Sequence, residues 1–288
     1  MNEGLKVMLG KYKCQSINDY ENALKEIVQE IALLGLWRSK FFEKSAFYGG
    51  SALRILYGLN RFSEDLDFSL LKKDEDFSFG NYCAALEEEL RSFGFNTTVE
   101  KKEKKIESNI DSAFIKAGTL ENLLVVDAVS SLREKIHSKK IIKIKLEVDK
   151  NPPGNFQTEA KYLFQPIPFS VNTYTLPCLF AGKMHALLCR SWASRVKGRD
   201  WYDLVWYLGM KVPVSIKHLE SRMKQTGHLE LDESLTEEYL KQMLREKIKT
   251  VDFDRAKIDV ENLLLDRASL KIWSEGFFQE VCNNINVA

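Results

Sequence analysis

The chain has 288 residues, of which 44% are hydrophobic and 29% charged, a globular balance that excludes disorder and allows one large domain or two modest ones. Its 42 Lys and Arg nearly cancel its 41 Asp and Glu, so the net charge of +1 predicts no overall attraction to nucleic acid. The five cysteines form no CxxC pair, and the first residues lack an apolar signal-peptide run. Every window of about 18 residues carries charge. We therefore expect a cytoplasmic protein with no membrane contact.

The first half of the sequence predicts alternating helices and strands. Apolar residues recur at helical spacing over residues 17–36, with Ser16 or Asn18 as the candidate cap. Further predicted elements are a helix over 52–57, a strand over 66–71, a helix over 79–93 and paired strands within 96–116. The lysine-rich run at 101–105 is expected to be a solvated loop.

The second half begins with a clear strand and then becomes helical. Residues 141–149 alternate apolar and charged side chains, and the Pro/Gly-rich segment 151–155 ends that strand. Pro177 suits the first turn of a helix. Further helices are predicted over 199–208, 236–247, 255–265 and 269–283. These patterns predict an α/β domain with an N-terminal helix over residues 1–155 and a mainly helical domain over 156–288.

The segment SEDLDF at 63–68 places two carboxylates on one predicted strand. Because successive side chains of a strand alternate between faces, Asp65 and Asp67 project together while Leu66 and Phe68 point into the core. Two carboxylates about 7 Å apart on one strand face suit Mg²⁺ (or Mn²⁺), which takes oxygen ligands and shares them with substrate phosphates. For an isolated Asp-x-Asp pattern, a solvated strand face is the ordinary alternative.

Upstream, Gly49, Gly50 and Ser51 precede a predicted helix. Paired glycines let the backbone approach phosphate oxygens, and the Ser51 hydroxyl with the free amides of the helix N-terminus can receive a triphosphate. A Gly-Gly pair alone is ordinarily a turn. The strand–turn–helix–strand spacing, which brings this turn and the acid pair to one sheet edge, favours a nucleotide site.

A third carboxylate is usual for two-metal phosphoryl transfer. The polar face of the strand at 141–149 offers Glu147 and Asp149, and either completes the metal site if this strand lies beside Asp65 and Asp67. A charged exposed face, interleaved with Lys143 and Lys145, is an equally good interpretation.

A second group of charged residues lies in the helical half. Lys183 and Arg190 are seven residues apart on one helix face, and Asp200 and Asp203 share a face of the next helix. Cations of this kind can hold a triphosphate while acids orient them. Salt bridges between the two helices are the alternative, which we favour for Asp203 taken alone; for Lys183 we favour function.

The segments GGSAL at 49–53 and RFSEDLDF at 61–68 resemble the signature of the AbiEii toxin family. The segments KMHALLCR at 183–190 and RDWYD at 199–203 resemble its second block, so the resemblance covers roughly residues 45–205. These toxins are minimal nucleotidyltransferases of the polymerase-β-like superfamily, found in bacterial abortive-infection and type IV toxin–antitoxin pairs. One departure is FAG at 180–182, where an acidic residue often precedes the lysine.

The resemblance implies an α+β fold, with a nucleotidyltransferase-like mixed β-sheet, flanking helices and a helical C-terminal domain that closes the active-site cleft. It implies NTP-phosphate contacts at Gly50 and Ser51, metal ligation by Asp65 and Asp67, an essential Lys183 and an essential acid at position 200 or 203. The expected cofactors are Mg²⁺ or Mn²⁺ and an NTP.

The same resemblance implies that the enzyme transfers NMP to the 3′ end of tRNA or another RNA, stops growth, and is restrained by a cognate antitoxin. Transfer to a small molecule or a protein hydroxyl is the alternative, and a non-catalytic nucleotide-binding module is disfavoured by the intact acid pair. An RNA acceptor could use a local basic stripe. The stripe consists of Lys183, Arg190, Arg195, Lys197 and Arg199. His137 and His185 have no partners at ligand spacing, so zinc is not expected.

Overall fold

The structure, a computed structural model, describes residues 3–101, 109–118, 141–190, 196–264 and 266–288. The chain divides into two compact units. The first, here called the sheet unit, comprises Met1–Gly58, Phe62–Pro152 and Ala160–Thr173. The second, the helical unit, comprises Leu59–Arg61, Pro153–Glu159 and Tyr174–Ala288.

Within the described residues, seven strands form one mixed sheet. They are β1 (Ser45–Tyr48), β2 (Leu66–Leu70), β3 (Thr97–Lys101), β4 (Ile110–Gly118), β5 (Ile141–Asp149), β6 (Thr158–Leu163) and β7 (Phe169–Tyr174). Their order across the sheet is β3-β4-β5-β2-β1-β7-β6. The mixed sheet with flanking helices confirms the predicted α+β class.

Strand β2 lies at the centre of this sheet and pairs on both sides. It runs antiparallel to β1 and parallel to β5, and Asp67 is opposite Tyr48 in β1 and Glu147 in β5. The predicted apolar face of β5 is buried at Ile142, Ile144, Leu146 and Val148, whereas Ile141 and Lys143 are exposed. This register places β2, the acid strand that carries Asp67, beside β5, which carries Glu147.

Four helices belong to the sheet unit in the described residues: α1 (Glu3–Gly10), α2 (Ile17–Arg38), α3 (Gly49–Tyr57) and α4 (Gly80–Ser92). Helix α2 begins at a capping box, in which the Ser16 hydroxyl accepts the Asp19 amide and the Asp19 carboxylate accepts the Ser16 amide. Its predicted apolar face is fully buried at Leu24, Ile27 and Ile31. It packs on α4 and on β5.

Six helices of the helical unit are described: α5 (Leu176–Cys189), α6 (Gly198–Gly209), α7 (Ile216–Gln225), α8 (Glu237–Lys249), α9 (Phe253–Val260) and α10 (Glu275–Val281). Pro177 lies in the first turn of α5, as predicted. Helix α5 packs on α6 and α7, and α6 packs on α9. The predicted helical C-terminal region is confirmed. None of the helices in the described ranges is long and apolar enough to cross a membrane.

Several predicted boundaries are wrong. The helix predicted over 52–57 begins at Gly49. The helix predicted over 255–265 begins at Phe253 and ends at Val260, before a 3-10 turn. The region 269–283 is not one helix, because the Ser274 hydroxyl accepts the Phe277 amide and starts a separate helix there.

The periodicity also missed short or polar elements: α1, β1, β6, β7 and α7. These segments lack the long apolar repeat on which sequence prediction depends. Residues 102–105 of the lysine run, together with His137 and Arg195, lie outside the described residues.

Candidate active site

The acid strand β2 is anchored by its apolar face. Leu66 and Phe68 are fully buried, as predicted, and the Phe68 ring lies edge-on to Phe41 with centroids 5.0 Å apart. Asp65 and Asp67 are half-buried and alternate with these core residues. Packing of the inward side chains therefore fixes where both carboxylates lie.

Gly49 allows the backbone to lie directly against the Asp67 carboxylate. A Cβ atom at position 49 would lie 2.6 Å from Asp67 Oδ2, well inside van der Waals contact. Gly49 also has a φ of +82°, a conformation that residues with side chains rarely adopt. The glycine at the start of α3 thus leaves room for the acid, a role different from the phosphate approach expected from the sequence.

The backbone before Asp67 is held by two side chains from neighbouring helices. The Ser51 hydroxyl donates to the Asp65 carbonyl, and Gln29 Nε2 donates to the Ser63 carbonyl at 3.1 Å. Both side chains are buried. Because the Ser51 hydroxyl hydrogen is used in this way, a triphosphate contact at this residue would come from its backbone amide at the α3 N-terminus.

The two candidate third acids differ in their surroundings. Both lie on the sheet face of Asp67, but Glu147 is its direct register partner, whereas Asp149 is opposite Ser69. Glu147 Oε1 lies 2.7 Å from Lys145 Nζ. Asp149 Oδ1 accepts the Asn151 amide at 3.0 Å, which helps to form the turn after β5. Of the two, Glu147 is the better placed to assist the acid pair.

The donor set of this face fits a hard divalent cation, because it consists of carboxylate oxygens. Among the described residues, however, the strand acids do not form a group of three ligand atoms close enough to share one ion. Asp65 and Asp67 therefore match the mode in which one or two carboxylates hold Mg²⁺ together with substrate phosphates.

The predicted charged residues of α5 and α6 form a buried ion network. Lys183 Nζ lies 2.5 Å from Asp200 Oδ1 and 2.8 Å from Asp203 Oδ2. Arg61 makes a bidentate pair with Asp203, with both N···O distances at 2.6 Å. Arg61 and Asp203 are 1% and 0% exposed, so this is a fully desolvated pair.

The network shifts the ionisation of its members. Burial alone would raise the pKa of Asp200, but the charge and hydrogen bond of Lys183, with Arg190 and Arg61, lower it. Burial alone would lower the pKa of Arg61, yet Asp203 raises it. The ion pairs therefore outweigh burial and favour the charged forms of Asp200 and Arg61.

This network matches the salt-bridge alternative that the sequence left open for the two helices. Lys183 and Asp203 connect α5 to α6, which agrees with the structural role favoured for Asp203. Arg61 is not among the predicted site residues, and it is 142 residues from Asp203 along the chain. A buried-charge role has no local sequence signal, although Arg61 belongs to the segment that carries the family resemblance.

The expectation that His185 has no metal-ligating neighbours is wrong. Of the described residues, His185, Cys189 and His228 offer the one group of ligand atoms close enough to share a metal ion, all within 4.8 Å of one another. His185 and Cys189 are one helical turn apart in α5, and His228 follows α7. Only the fold reveals this group, because His228 is distant in sequence.

Residues 31–275 match the profile of one protein family. That family is described as nucleotidyl transferase AbiEii toxin, type IV toxin–antitoxin system. The chain belongs to this family. It is therefore a nucleotidyltransferase toxin of a type IV toxin–antitoxin system, as the sequence resemblance implied. The matched range contains the acid strand, the α3 turn and the buried ion network.

Two solved structures from Helicobacter pylori resemble this chain. One is JHP933, at 19% identity and a TM-score of 0.47, covering 90% of this chain and 89% of that one. The other is a candidate nucleotidyltransferase, at 20% identity and a TM-score of 0.44, covering 89% of this chain and 88% of that one. No curated protein matches the sequence significantly.

Proposed function

We propose that this AbiEii toxin transfers NMP from an NTP to the 3′ hydroxyl of an RNA, with tRNA as the expected acceptor. The proposal rests on Asp67 in β2 and Asp65 directly before it, both half-buried, in a chain of a nucleotidyltransferase family. Asp67 lies against Gly49 and opposite Glu147. Phosphoryl transfer depends on positioning and charge stabilisation, which a rigid strand face provides.

Asp65 and Asp67 are the proposed ligands of Mg²⁺ or Mn²⁺, with Glu147 as the supporting acid and Asp149 as the weaker candidate. A divalent ion bound there would lower the pKa of the acceptor hydroxyl and neutralise phosphate charge. The α3 amides at Gly49, Gly50 and Ser51 would receive phosphate oxygens.

In the helical unit we assign Lys183 and Arg190 to the NTP phosphates, with Asp200 and Asp203 holding the Lys183 ammonium in place. Arg190 is exposed, whereas the Lys183 side chain is only 12% exposed. Arg190 is therefore the more accessible of the two to a ligand.

An RNA acceptor is favoured over a small molecule by the basic residues around α5 and α6. Arg190 is exposed, and Lys197 and Arg199 are half-buried near the start of α6. About four phosphate contacts to a single strand would make RNA binding roughly 50-fold weaker between about 50 and 200 mM salt. Transfer to an uncharged acceptor would show little of this dependence.

The test is to incubate the pure protein with each labelled NTP, Mg²⁺ and total RNA, and to repeat the reaction with RNA-free small-molecule and protein fractions. We expect label at RNA 3′ ends, strong weakening with salt, and no labelling by the Asp67→Ala variant. In bacteria, expression of the wild type should arrest growth and expression of Asp67→Ala should not. Label in a small-molecule or protein fraction alone would refute the RNA acceptor, and equal toxicity without Asp67 would refute the catalytic basis of toxicity.

A further inference from the structure

Helix α5 presents a histidine and a cysteine on one side of its last turns. His185 and Cys189 are four residues apart, so their side chains are neighbours on the helix surface. Cys189 is 8% exposed and His185 is half-buried. This spacing of two nitrogen and sulfur donors is suited to chelating one ion from a single helix.

A rigid turn after α7 supplies the third donor. Gly227 adopts a φ of +70°, which favours glycine, and its amide donates to the Lys224 carbonyl at 3.2 Å. The His228 amide donates to the Met223 carbonyl at 2.8 Å, which completes a Schellman helix ending. His228 itself is exposed. The turn therefore fixes the backbone of His228 and leaves its ring accessible to an ion from solvent.

The three ligand atoms are nearly close enough for a single small ion. They lie within 4.8 Å of one another. In a tetrahedral zinc site, with Zn–N of about 2.0 Å and Zn–S of about 2.3 Å, ligand atoms are roughly 3.3–3.8 Å apart. Side-chain rotations that move the ligand atoms by about an ångström would bring them to these distances. The His228 ring is exposed, so core packing does not oppose its rotation.

The Thr226 hydroxyl orients both rings. Its oxygen lies 2.9 Å from His185 Nε2 and 2.9 Å from His228 Nδ1, and it donates its own hydrogen to the Arg222 carbonyl at 2.9 Å. Because a hydroxyl has one hydrogen, both imidazoles donate N–H groups to this oxygen. This shared partner therefore restricts the orientation of both rings.

We propose that His185, Cys189 and His228 bind one Zn²⁺ ion, at a site whose ligands are separate from the acids of the strand face. Two imidazoles and a thiolate favour a zinc-type ion, whereas carboxylate oxygens favour Mg²⁺. Three protein ligands leave a fourth position for water.

Binding would convert the Cys189 thiol to a thiolate and release one proton to solvent. Burial raises the pKa of this thiol to about 11 in the metal-free protein. The ion would connect the end of α5 to the turn after α7, and would stabilise the helical unit because it binds the folded chain preferentially.

The test uses the full-length protein after treatment with a chelator, titrated with Zn²⁺ and separately with Co²⁺. We expect one equivalent to bind, and the Co²⁺ form to show a thiolate-to-cobalt charge-transfer band. Cys189→Ser should abolish the band, and Cys189→Ser and His228→Ala should each weaken Zn²⁺ binding by more than about tenfold. Cys282→Ser is the matched control, because Cys282 is a buried thiol of the same unit outside the group.

Thermal unfolding gives a second readout, which separates metal loss from damaged packing. Zn²⁺ should raise the Tm of the wild type and of Cys282→Ser, but not that of His228→Ala, whose exposed side chain contributes little to the core. Wild-type Zn²⁺ affinity in both Cys189→Ser and His228→Ala, loss of the cobalt band in Cys282→Ser, or no Zn²⁺ binding by the wild type would overturn the assignment.

Discussion

The sheet unit and the helical unit place their carboxylates in opposite environments. Asp67 is half-buried on a strand face, against a glycine backbone and beside the start of α3. Asp203 is fully buried between Arg61 and Lys183. The same residue type is therefore partly exposed to solvent in one unit and enclosed by buried cations in the other.

This difference separates the acid proposed to bind the metal from an acid that is buried in an ion network. The charge of Asp203 is already neutralised by buried partners, so its removal should act first on stability. The Asp67 carboxylate is half-buried and is proposed to bind the metal, so its removal should act first on transfer. Each prediction below tests one side of this contrast.

The largest expected effect is on the buried network. Asp203→Asn would leave Arg61 and Lys183 with less negative charge in a dry environment, and should lower the free energy of unfolding by about 3–5 kcal/mol. Urea unfolding measures this loss. The matched control is Asp254→Asn, an acid of the same unit that is 88% exposed in its pair with Lys257. That substitution should change stability by no more than about 0.5 kcal/mol, and equal losses in the two variants would refute the contrast.

The next effect concerns the glycine beside Asp67. Gly49→Ala should lower the rate of transfer about a hundredfold, or ~2.7 kcal/mol, because the new Cβ displaces the carboxylate. Gly58→Ala is the matched control, since Gly58 has a φ of +76° but a Cβ atom there would meet no other atom within 4 Å. Both variants should lose about 1 kcal/mol of stability from backbone strain. If Gly58→Ala reduces transfer equally, then strain rather than contact with Asp67 is the cause.

A buried acid of the sheet unit tests whether burial itself decides the outcome. Burial, with Glu26 nearby and against the charge of Lys11, raises the pKa of Glu30 from 4.5 to about 7. The folded state therefore binds this proton more tightly, and the stability from Glu30 is complete below about pH 4.5 and lost as the pH rises through 7.

The expected loss is roughly 2–3 kcal/mol, and Glu30→Gln should remove that part of the pH dependence. Denaturant unfolding at several pH values measures it, with the more exposed Glu64→Gln as the control. If the free energy of unfolding of Glu30→Gln depends on pH as that of the wild type does, then Glu30 is not the source of that dependence.

The smallest effect distinguishes the two acids of β5. Glu147→Gln should reduce transfer about tenfold, or ~1.4 kcal/mol, because Glu147 is the register partner of Asp67. Asp149→Asn should have little effect, since an amide oxygen can still accept the Asn151 amide. Steady-state rates of both variants measure the difference. If Asp149→Asn reduces the transfer rate more than Glu147→Gln does, then Asp149 is the supporting acid.

The sequence predicted the parts of the fold that have strong periodicity. Helix α2 and strands β2 and β5 were recognised because buried side chains recur there at regular spacing. Strands β6 and β7 were missed, as short segments with many polar residues give little signal. The separate helix after Ser274 could have been found from its capping serine.

The residues of the candidate sites also divide into those with a local sequence signal and those without one. Asp65 and Asp67 lie two residues apart, so strand alternation alone placed them on one face. The pairing of Arg61 with Asp203 and the approach of His228 to Cys189 depend on how distant segments pack. A single sequence carries no physical signal for such contacts, because each residue has only local neighbours along the chain.

The most direct test of the central claim is the Asp67→Asn variant, with the single-turnover rate of NMP transfer and the free energy of unfolding measured on the same preparation. We predict that the rate falls at least about a thousandfold, or ~4 kcal/mol of transition-state stabilisation, while the free energy of unfolding changes by less than about 1 kcal/mol. Near-normal transfer in a folded variant, or a loss of transfer fully explained by unfolding, would contradict the assignment of Asp67 to the active site.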